Sequence, residues 1–219
     1  MVLTETKLND EKADKVKHYS ILNKYVKKGK VVFTGSSLME QFPIYEFLLD
    51  YDIKETIYNR GVSGFTSSEM ILALDTLIFE LEPRKIFINI GTNDLSSPDY
   101  NVEELIGRYE YILDQIKSRL PETRVYVMAY YPCNCDYDFG NEAAREWVRQ
   151  RPNAKVIEAN EALEAMAKRY QVKFIDINKN LYDNDNNLKS EYSIEGVHMY
   201  ANGYRAVLDD LMEYVKEDV

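Results

Sequence analysis

Four short apolar runs punctuate the chain: residues 30–34 (KVVFT), 85–90 (KIFINI), 124–130 (RVYVMAY) and 172–177 (VKFIDI). Each is nearly continuous rather than alternating, the pattern of a strand covered on both faces. Residues 55–59 (ETIYN) form a weaker fifth. Between the runs the apolar spacing becomes helical. Residues 67–80 place Met70, Leu72, Leu74, Leu77 and Ile78 on one broad face, and residues 102–120 repeat Leu105, Tyr109, Ile112 and Ile116. Two more helices are predicted, over residues 152–170 behind Pro152 and over residues 203–216.

Strands that alternate with helices build βαβ units with right-handed crossovers. The pattern therefore predicts an α/β fold, a three-layer α/β/α sandwich around a central five-stranded parallel sheet. No repeat, linker or low-complexity stretch divides the 219 residues. A single domain over residues 1–219 is expected, with residues 1–29 as a helical extension packed on it. In such sheets ligands bind beyond the carboxyl ends of the strands, so the residues just after each run are the ones to inspect.

Composition narrows the function. A formal net charge of −10 leaves nothing to neutralise phosphates, so no nucleic-acid partner is expected. The basic stretch KYVKKGK (residues 24–30) reads as a solvated helix end. Neither a signal-type apolar region at the N-terminus nor an apolar run of roughly 20 residues appears, so a cytoplasmic protein without integral membrane association is expected. Cys133 and Cys135 alone cannot make a four-ligand zinc site or a disulfide framework, and they read as reduced loop thiols. No metal and no cofactor is expected.

The strand ends hold small and polar residues. They are Gly35-Ser36-Ser37, Asn59-Arg60-Gly61-Val62-Ser63-Gly64, Gly91-Thr92-Asn93-Asp94 and Tyr130-Tyr131-Pro132, with Glu195-Gly196-Val197-His198 beyond the last strand. Taken singly, each has a structural explanation. A serine at a strand–helix junction reads as an N-cap, Gly64 as a turn glycine, Asn93 as a turn residue. Together they are a hydroxyl, an imidazole, a carboxylate and amide donors on one sheet edge, the ingredients of acyl transfer. A carboxylate three residues before a histidine can fix its tautomer and leave the other ring nitrogen free as a base. His18, among N-terminal lysines, reads as a surface residue.

In this order the blocks resemble those of the SGNH hydrolases, the GDSL-type esterases and lipases. The usual Gly-Asp-Ser, Asn-x-Gly-x-x-Gly, Gly-x-Asn-Asp and Asp-x-x-His correspond to the blocks at 35–37, 59–64, 91–94 and 195–198. Asn202-Gly203-Tyr204 echoes the trailing Asn-x-Gly-Tyr. The spacing is most similar to the bacterial branch related to platelet-activating-factor acetylhydrolase. The resemblance implies the family's flavodoxin-like fold, Ser37 as nucleophile, His198 as general base and Glu195 as its orienting acid. It also implies an oxyanion hole from the Ser37 and Gly64 N–H groups and the Asn93 side chain. Two positions depart from the pattern: Ser36 replaces the usual Asp beside the nucleophile, and Glu195 replaces the usual Asp of the last block.

A small-molecule ester is the expected partner. Tyr130, Tyr131 and Met199 are expected to line an acyl or leaving-group pocket. Without a long apolar lid, short acyl esters on a sugar or small alcohol are favoured. The alternatives are a lysophospholipase-type or lipase-type acylhydrolase, or a catalytically impaired binding protein of the same fold.

Overall fold

The computed structural model describes residues 6–50 and 54–217, so residues 1–5 of the expected N-terminal extension lie outside the described residues. In chain order the elements are α1 (Asp10–Asn23), β1 (Val31–Gly35), α2 (Ser37–Glu40), α3 (Ile44–Asp50), β2 (Ile57–Gly61), α4 (Ser67–Leu72) and α5 (Leu74–Leu77). Then follow β3 (Lys85–Asn89), α6 (Val102–Arg119), β4 (Arg124–Met128), α7 (Glu142–Arg149), α8 (Asn153–Tyr170), β5 (Lys173–Ile175) and α9 (Ala201–Lys216).

The strands form one parallel sheet in the order β2-β1-β3-β4-β5. Val31, Val32 and Phe33 of β1 and Ile86, Phe87 and Ile88 of β3 are completely buried, which is why those runs are apolar throughout. The register sets Gly35 opposite both Gly61 and Asn89, so β1, β2 and β3 end level with one another. β1 is also where the strand order reverses, and the crevice at such a point is the natural ligand position.

Helices cover both faces. On one face α1 packs on α5, α4 on α6, and α6 on α8. On the other, α9 lies over an aromatic row that crosses the sheet in register: Phe33, Phe87 and Tyr126. Phe33 and Phe87 are 5.0 Å apart between centroids, and Phe87 stacks on Tyr126 at 4.4 Å and 4°. Tyr204 and Tyr214 of α9 close over this row against Phe42 and Tyr126. Truncating Phe87 to alanine is expected to cost about 3–5 kcal/mol, the usual range for a buried aromatic.

One helical expectation needs correction, and one helix was not expected. Residues 67–80 do not form one helix: Ala73 leaves helical geometry (φ −115°, ψ 8°), and α4 hands over to α5 and a 3-10 turn at Phe79–Leu81. Met70, Leu74, Leu77, Ile78, Phe79 and Leu81 are all buried, more apolar positions than one straight face presents. The break redirects the axis so that they all turn inward. Leu72, expected on the apolar face, ends α4 at 49% exposure. The other difference is α7, which the apolar pattern does not announce because Val148 is its one buried residue.

Candidate active site

β1 ends at Gly35, whose φ is +155° and where an added Cβ would fall 2.0 Å from the Asn89 carbonyl oxygen. Glycine is thus required for the turn that follows. Ser36 takes the N-cap position of α2, and its carbonyl accepts from the Met39 and Glu40 N–H groups. Its hydroxyl makes no capping bond. Ser37, the first helical residue, is 8% exposed and places Oγ 2.8 Å from His198 Nε2.

His198 sits on a loop pinned by an antiparallel bridge between Ser193 and Met199. Within it, Ile194 N–H donates to the His198 carbonyl at 2.8 Å, and Gly196 N–H donates to Ser193 Oγ at 2.7 Å. Gly196 has φ +107°, and a Cβ there would lie 2.5 Å from the Asn134 carbonyl oxygen, so the tight turn and the close approach both need glycine. This turn folds Glu195 back on the imidazole. Glu195 Oε1 accepts from the His198 backbone N–H at 2.9 Å and faces His198 Nδ1 at 2.7 Å. The additional methylene of glutamate is taken up by the loop. Burial alone would raise the Glu195 carboxyl, but the hydrogen bonds from His198 outweigh it and hold it below the ordinary carboxylate value. A carboxylate facing Nδ1 favours the tautomer with the proton on that nitrogen, which leaves Nε2 to face the Ser37 hydroxyl.

A second support comes from α7. Trp147 lies nearly parallel to the His198 ring, 5.9 Å away at 12°, and the Arg151 guanidinium sits 4.0 Å from the indole centroid. Arg151 is 1% exposed and donates from Nε to Ser96 Oγ at 2.7 Å. Burial lowers its pKa, opposed by the neighbouring Cys133 and Glu195. Sequence reasoning missed this stack. Its available signal was the sole tryptophan of the chain, six residues after Asn141, whose side chain caps α7.

Opposite the histidine, the loop after β2 is bound to the Ser37 turn at two points. Val62 N–H donates to the Gly35 carbonyl at 2.9 Å, and Ser63 N–H donates to Glu40 Oε2 at 2.6 Å. Asn59 ties the strand end to α2, donating to the Met39 carbonyl and accepting the Gly61 N–H at 2.9 Å. Gly64 follows at φ +73°, an exposed position. Asn93 Nδ2 donates to the Phe65 carbonyl at 2.8 Å, leaving its second N–H free for another acceptor and joining it to the Gly64 loop. Asp94 is turned away: it accepts from Ser67 N and Oγ at 2.9 and 2.6 Å and pairs with Arg108, anchoring the start of α4.

The three residues expected to line a pocket are placed differently. Tyr130 is 1% exposed and donates its hydroxyl to the Ile90 carbonyl at 2.7 Å, so it is a strut of the core. Tyr131 and Met199 are each 3% exposed. Tyr131 follows the end of β4 and Met199 is in the bridge with Ser193, and both are buried. His18 is exposed, and Cys133 and Cys135 are free thiols. Burial pushes the Cys133 thiol up to about 12, which makes it a poor nucleophile.

The model of the GDSL-like lipase/acylhydrolase family matches residues 36–206, which includes every block named above except Gly35. The chain is 23% identical over 193 residues to the platelet-activating factor acetylhydrolase IB subunit alpha2 of Rattus norvegicus, covering 87% of this chain and 78% of that one. A structure described as a platelet activating factor from Streptococcus pneumoniae superposes with a TM-score of 0.83 at 29% identity, over 94% of this chain and 92% of that one. An acetylxylan esterase from Geobacillus stearothermophilus shares the fold, with a TM-score of 0.66 at 14% identity over 88% of this chain and 97% of that one.

Proposed function

The chain belongs to the GDSL-like lipase/acylhydrolase family and is a carboxylic ester hydrolase; within that class we propose that it cleaves short-chain, acetyl-type esters of a carbohydrate or small alcohol through a Ser37–His198–Glu195 triad. The observation that carries this reading is the unbroken relay from Ser37 Oγ to His198 Nε2 at 2.8 Å and from His198 Nδ1 to Glu195 Oε1 at 2.7 Å, on the carboxyl edge of the sheet.

In the first half-reaction Ser37 Oγ bonds to the acyl carbon as its proton passes to His198 Nε2. Glu195 stabilises the resulting imidazolium. The Ser37 and Gly64 N–H groups and the free Asn93 N–H take the charge that develops on the carbonyl oxygen. The C–O bond to the alcohol breaks, and Nε2 returns the proton to the departing oxygen. Water then attacks the acyl-enzyme, giving a proton to Nε2; Ser37 Oγ leaves the acyl carbon and is reprotonated. No step requires a cofactor.

The acyl preference is supported by the burial of Tyr130, Tyr131 and Met199, which present little surface for a long chain to lie along. The names of two similar proteins, an acetylhydrolase and an acetylxylan esterase, agree with an acetyl group. Ser37→Ala is expected to abolish hydrolysis of p-nitrophenyl acetate, and retained turnover would overturn the triad. Rates across esters from acetate to palmitate test the acyl preference: a maximum at long chains would favour the lysophospholipase-type or lipase-type alternative.

A further inference from the structure

We propose that Lys12 and Lys15 of α1 are positioning residues for the Gly64 N–H, which makes the N-terminal helix a working part of the active site. The proposal rests on the reading of Gly64 as an oxyanion donor. α1 precedes the residues matched by the family model, which begin at 36.

The contacts of α1 are unlike those of a helix that simply covers a sheet. Tyr19 and Asn23 are its buried residues, and its approach to the loop after β2 is polar. Residues 12, 15, 19 and 23 fall on one helical face at spacings of three and four. Lys12, Tyr19 and Asn23 reach the stretch at residues 60–64 directly, and Lys15 reaches it through Glu40. Lys12 Nζ donates to the Gly64 carbonyl at 2.9 Å, and Tyr19 donates its hydroxyl to the Gly61 carbonyl at 2.8 Å. Asn23 Oδ1 accepts from Arg60 Nε and Nη2 at 3.0 and 2.9 Å. Lys15 pairs with Glu40 at 2.6 Å, and Glu40 in turn accepts the Ser63 N–H.

These contacts bracket one peptide. The Gly64 N–H belongs to the unit between Ser63 and Gly64, and its direction depends on the dihedrals on either side. The unit before it is held at Ser63 N–H by Glu40 and Lys15. The unit after it is held at the Gly64 carbonyl by Lys12. Glycine at φ +73° has no side chain to restrain it, and the loop borders a cavity of about 510 Å³ lined by Lys12, Lys15, Glu40, Ser63 and Gly64. Without the two ammonium groups, that side of the loop faces open space. Lys12 is itself fixed by Glu69, whose two carboxylate oxygens lie 2.7 and 2.8 Å from Nζ and which also closes the capping box of α4. The oxyanion donor is thus aimed through α1, α2 and α4 together.

The test compares kcat and KM on p-nitrophenyl acetate for the wild type, Lys12→Met, Lys12→Arg, Lys15→Met and Asn93→Ala, with melting temperatures for all. Lys12→Met is expected to lower kcat about tenfold with little change in KM, because a misaimed donor weakens the transition state more than the ground state. Lys12→Arg, which keeps a donor for the carbonyl, is expected to recover most of the loss. Lys15→Met is expected to act in the same direction and more weakly. Because Lys12→Met leaves Glu69 unpaired, Lys12→Met/Glu69→Gln separates stability from aim. If its kcat stays low while its melting temperature recovers, the proposal holds; if kcat recovers with stability, it is overturned. A normal kcat in Lys12→Met beside a depressed one in Asn93→Ala also overturns it while leaving the oxyanion hole intact. A normal kcat in Asn93→Ala would instead sink the oxyanion reading itself.

Discussion

Ser37, Gly64 and Asn93 hang from three adjacent parallel strands, whereas Glu195 and His198 stand on a loop held by an isolated bridge from Ser193 to Met199. On the first wall strand register lays down the frame, with β1, β2 and β3 ending level, and the side chains of Asn59, Glu40, Asn93 and Lys12 then fix the loops that extend it. On the second wall there is no strand frame, and side chains set the geometry. Glu195 holds the imidazole in its plane, and Trp147, backed by Arg151, covers one face. A sheet edge can place a donor that never has to change state. In the role proposed for it, His198 must be neutral, then charged, then neutral again, and the groups around it tolerate that change. The two walls are therefore expected to fail in different ways.

Glu195→Gln should show the largest effect short of removing Ser37 or His198. By analogy with the acid-to-amide change in serine proteases, kcat is expected to fall about 10⁴-fold with the fold intact, because the amide favours the wrong tautomer. A loss below about tenfold in steady-state turnover would mean that Trp147 and the loop orient His198 unaided, at odds with a tautomer-setting role for the acid. On the opposite wall, Asn93→Ala removes one donor and is expected to cost about 10²–10³ in kcat with KM little changed. If KM rises instead and kcat holds, Asn93 binds substrate rather than transition state.

Trp147→Leu sharpens the contrast at smaller scale. Loss of the stacked ring should lower kcat about tenfold by loosening the imidazole, with p-nitrophenyl acetate turnover as the readout. An unchanged rate would show that the in-plane contacts suffice. The smallest effect concerns acid stability. The folded Glu195 carboxyl lies below its ordinary value of 4.5, so its stabilisation is fully present above that value and is lost as pH falls through the lowered folded one. The fall in melting temperature from about pH 6 to pH 3 is therefore expected to be steeper in the wild type than in Glu195→Gln. Equal slopes would show that the Glu195–His198 contact contributes nothing to the fold.

The inner strands β1, β3 and β4 were legible because a strand buried on both faces is a short continuous apolar run whatever its neighbours are; the less fully buried edge strands β2 and β5 overlap the runs at residues 55–59 and 172–177. Ser37, Gly64, Asn93, Glu195 and His198 were singled out by the strand-end rule together with the family resemblance, and the fold brings Ser37, His198 and Glu195 within hydrogen-bond distance and joins Asn93 to the Gly64 loop. The serine pair at 36–37 shows the limit. Sequence placed a helix start there, but only the fold leaves the Ser36 hydroxyl without a cap bond and brings Ser37 to a histidine 161 positions away. The break at Ala73 was hidden because helical periodicity records which residues are apolar, not where the axis must turn to bury them.

From the sequence alone came the layer architecture, the alternation of strands with helices and the set of groups at the sheet edge, all of which follow from local periodicity and residue chemistry. What the tertiary structure decided was how those groups are held. The fold-back of Glu195 depends on a glycine turn packed against Asn134, the Trp147–His198 stack on a helix with a single buried residue, and the Lys12 contact on a partner 52 positions distant. These are polar and aromatic contacts between segments far apart in the chain. Local spacing does not encode them, because a lysine on an exposed helix face looks the same whether it meets water or a carbonyl.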